Sequence, residues 1–234
     1  MTITAILPCR KGSQRVPEKN VRQFVSSGQS LLTLKLAQLS HLDFVDEILL
    51  STNDDEVVEQ AQSLGMLNLR IDSRPEKLCQ SDTNLQDLIS YLGANVAPGE
   101  FLWTHTTSPL VGPQHYRDAF SALTSGRDAG FDSLVAVEKY QDFFLFEGEP
   151  VNFGLDGNFW PRTQDLRSLF RITSGIFIGS SDLLGKSRNR IGARPLLFEL
   201  AGEAALDIDW PDDFERASEA FANSGLSAQG RGAC

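Results

Sequence analysis

The feature that most constrains the fold is a short apolar strand that runs directly into a basic, turn-forming loop. Ala5, Ile6 and Leu7 form the predicted strand, and residues 8–22 form the loop. In α/β proteins, phosphate groups bind beyond the carboxyl end of the first strand of a parallel sheet, which is where this loop begins. The sequence therefore predicts an α/β fold with an anion site at this loop.

The loop concentrates positive charge in an acidic chain. Five basic residues fall within thirteen positions, namely Arg10, Lys11, Arg15, Lys19 and Arg22. The 234 residues together carry a formal net charge of −10. Because like charges held so close repel each other, an anion between them would lower the folding cost, although charge alone is equally compatible with a solvated basic turn. Gly12 and Ser13 allow close backbone approach and offer hydrogen-bond donors to such a ligand.

Charge and composition argue against several classes of protein. The net charge of −10 disfavours a nucleic-acid binder, whose contact surface is usually basic. No apolar run reaches the length that crosses a membrane. Cys9, Cys79 and Cys234 are odd in number and lack metal-ligand spacing. We therefore expect a reduced, cytoplasmic protein that contacts neither nucleic acid nor a membrane.

Apolar periodicity along the chain alternates between the strand and the helix pattern. Strands are predicted over 45–51, 101–104 and 133–137, and helices over 30–42, 53–64, 83–96, 116–123 and 211–222. Asn53 and Thr83 are the predicted N-caps of the second and third helices. This alternation predicts a largely parallel sheet with right-handed crossovers, in one domain over residues 1–222 followed by a flexible tail over 223–234.

Two aspartates near the end of the chain suggest a metal site. In a strand, Asp207 and Asp209 lie on the same face because alternate residues share a side. Two carboxylates held together raise each other's proton affinity unless a cation lies between them. Mg²⁺ takes one or two carboxylates together with substrate phosphates. A helix start with Pro211 at its first position is the alternative, but it leaves Asp207 without a role.

Dense aromatic residues interrupt the pattern between 140 and 170. Phe143, Phe144, Phe159 and Trp160 lie on an irregular stretch that a small domain cannot easily bury. Such residues either line a pocket or pack against a partner.

Five segments of the chain, taken in order, resemble the acylneuraminate cytidylyltransferases, which activate sialic-acid-like sugars with CTP. They are the motif from Arg10 to Asn20, residues 74–82, 104–110, 162–178 (beginning Arg-Thr-Gln-Asp-Leu) and 206–214. The resemblance implies a Rossmann-like, three-layer nucleotidyltransferase fold with a mostly parallel sheet. It also implies that residues 138–172 protrude as a small arm that forms a homodimer and contributes sugar-binding residues.

The resemblance assigns roles to individual residues. The expected nucleotide contacts are Arg10, Ser13, Lys19, Asn20 and Arg74, and the expected catalytic residues are Arg10, Lys19, Asp207 and Asp209, the last two as Mg²⁺ ligands. The expected sugar contacts are His105, Arg162, Gln164 and Arg171. His105 stands where the family often has glutamine, Val111 replaces an arginine, and Ser174 replaces an asparagine.

These assignments predict the reaction. The anomeric hydroxyl of a nonulosonic acid attacks the α-phosphorus of CTP, pyrophosphate leaves, and positioning with charge neutralisation supplies most of the acceleration. No side chain stands out as a general base. A cytidylyltransferase for the eight-carbon sugar Kdo and a catalytically silent homologue that binds a nucleotide sugar remain as alternatives. The segment from Arg162 to Leu166 argues against Kdo, and the identity of the sugar stays open.

Overall fold

The computed structural model describes residues 1–155 and 157–224 of the chain. Its strands are β1 (Thr2–Cys9), β2 (Glu47–Thr52), β3 (Leu69–Ser73), β4 (Gly99–Trp103), β5 (Ser133–Tyr140), β6 (Leu145–Phe146), β7 (Glu149–Pro150), β8 (Leu169–Ser180) and β9 (Pro195–Glu199). Its helices are α1 (Leu31–Ser40), α2 (Asp55–Ser63), α3 (Leu85–Ala94), α4 (Pro113–Gly126), α5 (Ser181–Lys186) and α6 (Pro211–Asn223). The predicted tail over 223–234 lies outside the described residues from residue 225 onwards.

Seven strands form one sheet in the order β3-β2-β1-β4-β8-β5-β9, and β6 pairs with β7 in a separate hairpin. Strand β1 runs parallel to both β2 and β4, β2 runs parallel to β3, and β5 runs parallel to β9. Only β8 in this sheet is antiparallel to its neighbours β4 and β5. The predicted α/β fold with a mostly parallel sheet is confirmed.

Helices cover both faces of the sheet, because its central strands are apolar on both sides. On one face, α1, α2 and α4 bury residues such as Leu36, Val57 and Ala119 in a single cluster with β1, β2 and β4. On the other face, α3 and α5 contribute Leu92 and Leu184 to a second cluster. Helix α6 packs in a third cluster against α1 and the loop after β1. This is the predicted three-layer arrangement.

Two predicted helix caps are wrong by one residue. Asp54, not Asn53, caps α2, since its side chain accepts a hydrogen bond from the amide of Glu56 at 3.2 Å. Asn84, not Thr83, caps α3. In both places two adjacent residues can serve as an N-cap, so local sequence does not choose between them.

Other helix and strand boundaries differ from the predicted ones, because tertiary packing extends elements beyond the residues that show apolar periodicity. Helix α4 is longer at both ends than the predicted 116–123, and strand β3 was not predicted at all. Helix α6 begins at Pro211 as expected. Among the described residues, no helix has both the length and the apolar character needed to cross a bilayer.

Residues between β5 and β8 form the excursion that the sequence marks as an arm. The two strands continue their antiparallel pairing outward as far as Tyr140 and Leu169, beyond a register shift near Val135. The buried side chain of Asn152 fixes the excursion by donating to two backbone carbonyls and accepting from one backbone amide. Four aromatic rings cluster next to it, with centroids 5.1–5.8 Å apart: Phe143, Phe153, Phe159 and Trp160.

The close approach of α3 and α5 depends on Gly93. A Cβ atom at this position would lie 2.7 Å from the Cβ of Leu184 and 2.8 Å from its backbone carbonyl carbon. We expect Gly93→Ala to lower the free energy of unfolding by about 1–3 kcal/mol, because backbone atoms cannot move aside cheaply. Chemical denaturation measures this difference.

The matched control is Gly185→Ala in α5, where nothing lies within 4 Å of the added Cβ. This substitution removes backbone freedom from the unfolded chain and should stabilise the protein by about 0.5–1 kcal/mol. Equal stability changes in the two variants would contradict the proposed close contact.

Candidate active site

A cleft of about 370 Å³ opens where β1 and β4 end. The loop after β1 and the loop after β4 form most of its walls, as expected at the carboxyl edge of a parallel sheet. The cleft brings together five of the predicted site residues, namely Arg10, Ser13, Lys19, Asn20 and His105. Its remaining lining residues were not singled out as site residues: Pro8, Gln14, Arg15, Ser81, Thr106 and Thr107.

Hydrogen bonds fix the basic loop against its neighbours. Asn20 accepts a hydrogen bond from the Thr106 hydroxyl through Oδ1 at 2.7 Å, which joins the loop to the residues after β4. The amide of Lys11 donates to the Asn53 side chain at 2.9 Å, and Asn53 in turn donates to Glu76. The loop is therefore held in place by side chains from two other parts of the chain, and Arg10, Arg15 and Lys19 line the cleft from a defined position.

Lys19 connects the basic loop to the segment that carries the two aspartates. Its Nζ donates to the backbone carbonyl of Ile208 at 2.8 Å. Burial lowers the pKa of Lys19, while the nearby carboxylates of Asp207 and Asp209 act in the opposite direction. The ammonium group thus lies between the basic loop and the two carboxylates.

Asp207 and Asp209 do not lie in a strand, contrary to the prediction. They follow a 3₁₀ turn at Gly202–Ala205 and precede α6. The segment is nevertheless anchored, since the Ile208 amide donates to the Thr107 carbonyl at 2.9 Å and the Ile208 side chain is fully buried. Both aspartates keep part of their surface exposed on either side of Ile208.

The two carboxylates suit a divalent cation. Oδ1 of Asp207 is buried without a hydrogen-bond partner among the described residues. Oδ1 of Asp209 accepts a hydrogen bond from the Arg15 guanidinium at 2.5 Å, in an ion pair whose side chains are half exposed. No group of three or more His, Cys, Asp or Glu side chains in the described ranges could hold a metal ion. Two carboxylates with open positions match Mg²⁺, which commonly completes its shell with phosphates and water.

Arg74 is placed differently from its predicted role. It does not line the cleft, and its side chain is almost completely buried. Its Nε donates to the Ser51 hydroxyl at 3.1 Å, and Nη2 donates to the Ser51 carbonyl at 2.6 Å. Burial lowers the pKa of Arg74. In this structure Arg74 supports the end of β2, while Ser81 of the same segment reaches the cleft.

His105 uses both ring nitrogens within the protein. The Trp103 indole, which can only donate, bonds to Nε2 at 3.1 Å, so the ring proton lies on Nδ1 and is donated to the Ser174 carbonyl at 3.0 Å. Burial, with a contribution from the nearby charge of Arg190, lowers the pKa of His105 to about 3. His105 is therefore a neutral part of the cleft wall with no free nitrogen.

A buried lysine holds the loop after β4. Lys35 of α1 is fully buried, and its Nζ lies 2.9 Å from the carbonyls of Ser108 and Val111 and 2.8 Å from the Tyr116 hydroxyl. The Tyr116 hydroxyl also bonds to Thr104. Burial lowers the pKa of Lys35 well below its usual value. Val111, which replaces a family arginine, is fully buried beside this network.

The other three predicted sugar contacts do not line the cleft. Arg162 is exposed and forms a two-pronged ion pair with Asp165. Gln164 is also exposed. Arg171 pairs with Glu138 at 2.6 Å and donates to the Ala205 carbonyl at 3.1 Å, close to the aspartate segment. The single chain does not unite these residues with the basic loop.

Comparison with known proteins identifies the family. A family model described as cytidylyltransferase matches residues 4–142, which is more than half of the chain. The chain belongs to the cytidylyltransferase family. The predicted resemblance is confirmed, and the matched residues contain the basic loop, β4 and the loop after it.

Curated relatives match nearly the whole chain at lower identity. An N-acylneuraminate cytidylyltransferase of Streptococcus agalactiae is 26% identical over 213 residues, which cover 89% of this chain and 51% of the relative. A pseudaminic acid cytidylyltransferase of Campylobacter jejuni is 24% identical over 217 residues, covering 91% of this chain and 93% of the relative. This cytidylyltransferase chain thus spans about half the length of the streptococcal relatives.

Solved structures confirm the fold. A CMP:2-keto-3-deoxy-manno-octonic acid synthetase complexed with CTP has a TM-score of 0.67 at 14% identity, covering 95% of this chain and 99% of that one. A 4-diphosphocytidyl-2C-methyl-D-erythritol synthase from Anaerococcus prevotii has a TM-score of 0.64 at 14% identity, covering 95% and 96%. The predicted Rossmann-like nucleotidyltransferase fold is therefore confirmed.

The environment of His105 predicts its titration behaviour. We expect its ring resonances, assigned by comparison with His105→Gln, to show no inflection between pH 5 and 8 in an NMR titration. Because the pKa is lowered in the folded state, the unfolded chain binds more protons below pH 6.5. His105 should then reduce the free energy of unfolding by about 1.4 kcal/mol per pH unit as the pH falls from 6.5 towards 3. An inflection near pH 6.5 would contradict the assigned tautomer and burial.

Proposed function

We propose that this cytidylyltransferase transfers CMP from CTP to the anomeric hydroxyl of a nonulosonic acid and releases pyrophosphate. The observation that carries the proposal is the cleft lined by Arg10 and Lys19, in which Lys19 also contacts the segment of Asp207 and Asp209 through the Ile208 carbonyl. Cations for a triphosphate line this cleft, and the carboxylates for a divalent cation lie next to it, joined to Lys19 through Ile208 and to Arg15 through Asp209. The relatives that match most of the chain are named for two nonulosonic acids, which supports this class of sugar.

The protein's part in the reaction is positioning and charge neutralisation. The sugar hydroxyl attacks the α-phosphorus, and the bond to pyrophosphate breaks on the opposite side. Arg10 and Ser13 hold the triphosphate, and Lys19 neutralises the negative charge that builds up on the departing pyrophosphate. Asn20, fixed by Thr106, contacts the nucleotide. Holding both reactants in line supplies a large part of the acceleration.

Asp207 and Asp209 are the residues that would hold Mg²⁺. When bound, the ion neutralises phosphate charge and favours the deprotonated form of the attacking hydroxyl. For Asp209 to act as a ligand, its ion pair with Arg15 opens. The Arg15 guanidinium, which already lines the cleft, then becomes available to the phosphates.

No histidine base is assigned in this mechanism. The one lone pair on the His105 ring already accepts the Trp103 indole proton. A side chain without a free acceptor cannot take the proton of the sugar hydroxyl. We infer that nearby positive charge lowers the pKa of the sugar hydroxyl, so that no protein base is needed to remove its proton.

The first experiment measures pyrophosphate release with CTP and Mg²⁺. Sialic, legionaminic and pseudaminic acids and Kdo are offered in parallel. Release with a nonulosonic acid is the expected result, and release with Kdo alone would favour the alternative sugar. If no sugar causes pyrophosphate release but CTP still binds, the catalytically silent homologue is favoured. If no pyrophosphate is released and CTP does not bind, the proposal is contradicted.

The variant Asp209→Ala tests the role of the carboxylate pair. We expect turnover to fall by at least about 10³-fold, since a ligand to the charge-neutralising cation is lost, while circular dichroism and thermal unfolding stay close to wild type. Asp212→Ala is the matched control, because Asp212 is exposed three residues along the chain in the first turn of α6. Equal activity of the two variants would remove Asp209 from the site.

We also propose that the arm mediates a homodimer. Apolar side chains remain exposed on it and on the adjoining part of β8, namely Leu145, Phe146, Trp160, Phe170 and Ile172. An exposed set of this size is typical of an interface. A second copy of the chain is the partner we propose, because Arg162 and Gln164 lie on this arm away from their own cleft and a neighbouring cleft could use them.

Light scattering coupled to size-exclusion chromatography tests the dimer. We expect the double variant Phe146→Ser and Trp160→Ser to shift a dimer towards monomer, because loss of two buried aromatic contacts costs several kcal/mol of association energy, on the order of 2–4 each. Leu67→Ser is the control, since Leu67 is fully exposed on the loop between α2 and β3. A wild-type monomer at all concentrations would contradict the proposed interface.

We place the reaction in the cytoplasm, where CTP is available. The buried thiols of Cys9 and Cys79 are free, which fits a reducing compartment.

A further inference from the structure

The loop that follows α5 carries an arginine that the mechanism above does not use. The Cζ atom of Arg190 lies 5.0 Å from the ring centroid of Trp103 and 4.1 Å from that of Phe177. Both rings belong to neighbouring strands of the sheet, β4 and β8, at paired positions. The guanidinium is therefore held against two aromatic faces, which attract a cation but leave its in-plane N–H donors free.

The charge of Arg190 is buried without a counter-charge. Its Nη1 atom is completely buried and has no hydrogen-bond partner in the described part of the chain. No carboxylate of residues 1–155 or 157–224 forms an ion pair with it, in contrast to Arg162 and Arg171. Burial lowers the pKa of Arg190 to about 10, yet the group stays charged at neutral pH. A buried, unpaired cation is costly, so its retention calls for a partner.

The backbone around Arg190 is fixed independently of its side chain. Oδ1 of Asn189 accepts hydrogen bonds from the amides of Arg190 and Ile191 at 2.8 and 3.2 Å, and the Asn189 amide donates to the Leu183 carbonyl. The Asp132 carboxylate accepts hydrogen bonds from the amides just beyond this segment. The guanidinium is thus presented by a rigid segment, which reduces the entropy lost when a ligand binds.

Arg190 lies directly behind the wall of the cleft. The Trp103 indole that stacks with Arg190 donates to His105, whose ring lines the cleft. After burial, the positive charge of Arg190 contributes to the lowered pKa of His105, as expected for two groups that both contact Trp103. Arg190 as a residue keeps part of its surface exposed. Arg190 does not itself line the cleft, and a ligand that extends past His105 would meet the guanidinium through the nitrogens other than Nη1.

We propose that Arg190 binds the carboxylate of the sugar acid. The inference rests on the proposed function, because a nonulosonic acid carries a carboxylate on the same carbon as the attacking hydroxyl. A planar guanidinium matches a carboxylate through two parallel hydrogen bonds. Arg162 and Arg171 already have carboxylate partners within the chain, whereas Arg190 has none among the described residues. Arg190 would hold the sugar so that the attacking hydroxyl of the sugar points towards the basic loop.

The test compares a sugar acid with its methyl ester, using the nonulosonic acid that the panel identifies. Wild-type protein should show a KM for the ester that is about 10–100-fold higher than for the acid, as expected for loss of a charged hydrogen bond. Arg190→Met should raise the KM for the acid by a similar factor, leave the KM for CTP within about twofold, and no longer distinguish acid from ester. Arg190→Lys should lie between the two, because it keeps the charge but not the planar fork.

Arg194→Met is the matched control. Arg194 lies on the same loop between α5 and β9 and also stacks on an aromatic ring, with its Cζ 5.8 Å from the Phe131 centroid. Unlike Arg190, it is exposed. We expect this variant to keep the wild-type preference for the acid. Thermal unfolding of all variants separates lost binding from lost structure, and Arg190→Lys serves as the test variant if Arg190→Met does not fold.

The outcomes separate this inference from the proposed function. An Arg190→Met or Arg190→Lys enzyme that distinguishes acid from ester as strongly as wild type overturns the inference alone. Wild-type protein that accepts no sugar acid contradicts the proposed function, and the inference falls with it. Loss of the acid preference in Arg194→Met as well would show that the effect belongs to the segment and not to the Arg190 guanidinium.

Discussion

The backbone of Ile208 holds the candidate active site together. Its carbonyl accepts the Lys19 ammonium proton at 2.8 Å, and its amide donates to Thr107 at 2.9 Å. These two bonds join the basic loop, the loop after β4 and the aspartate segment, which are far apart in sequence. The buried Ile208 side chain anchors the same residue in the core formed with α6. The geometry of the site therefore depends on one residue whose side chain takes no part in the chemistry.

The site contains charged groups that lack a full set of hydrogen-bond or ion-pair partners among the described residues. Lys19 lies near two carboxylates, a buried oxygen of Asp207 has no hydrogen-bond partner among the described residues, and Asp209 pairs with Arg15. Such an arrangement is costly in the folded protein, and binding of a triphosphate with a divalent cation would satisfy all of these groups together. The burial of apolar clusters on both faces of the sheet offsets this free-energy cost.

A second buried network keeps the part of the cleft wall after β4 rigid. Lys35 hydrogen-bonds to the loop after β4 from below, and His105 is fixed between Trp103 and Ser174. Both side chains are titratable, and burial lowers the pKa of each. Fully satisfied hydrogen bonds at such positions specify a single loop conformation. A rigid wall of this kind favours selection among ligands of similar size.

Local sequence was sufficient for the features that depend on neighbouring residues. The apolar run of β1 followed by the basic loop, the alternation of strands with helices, and the start of α6 at Pro211 each follow from short-range periodicity or turn chemistry. The residues of the basic loop could be selected as candidate site residues because they occupy one continuous motif.

Tertiary structure alone decided which distant residues meet. The burial of Arg74 under Ser51, the tautomer of His105 and the pairing of Arg15 with Asp209 all rest on contacts between separate segments. Arg190 carries no sequence signal, since its significance lies in two aromatic rings from other strands and in the absence of a carboxylate partner among the described residues. Periodicity reports which face of an element is buried, but it does not report which side chain lies opposite. The basic loop was therefore predictable from the sequence, and the arrangement of the cleft wall around His105 and Arg190 was not.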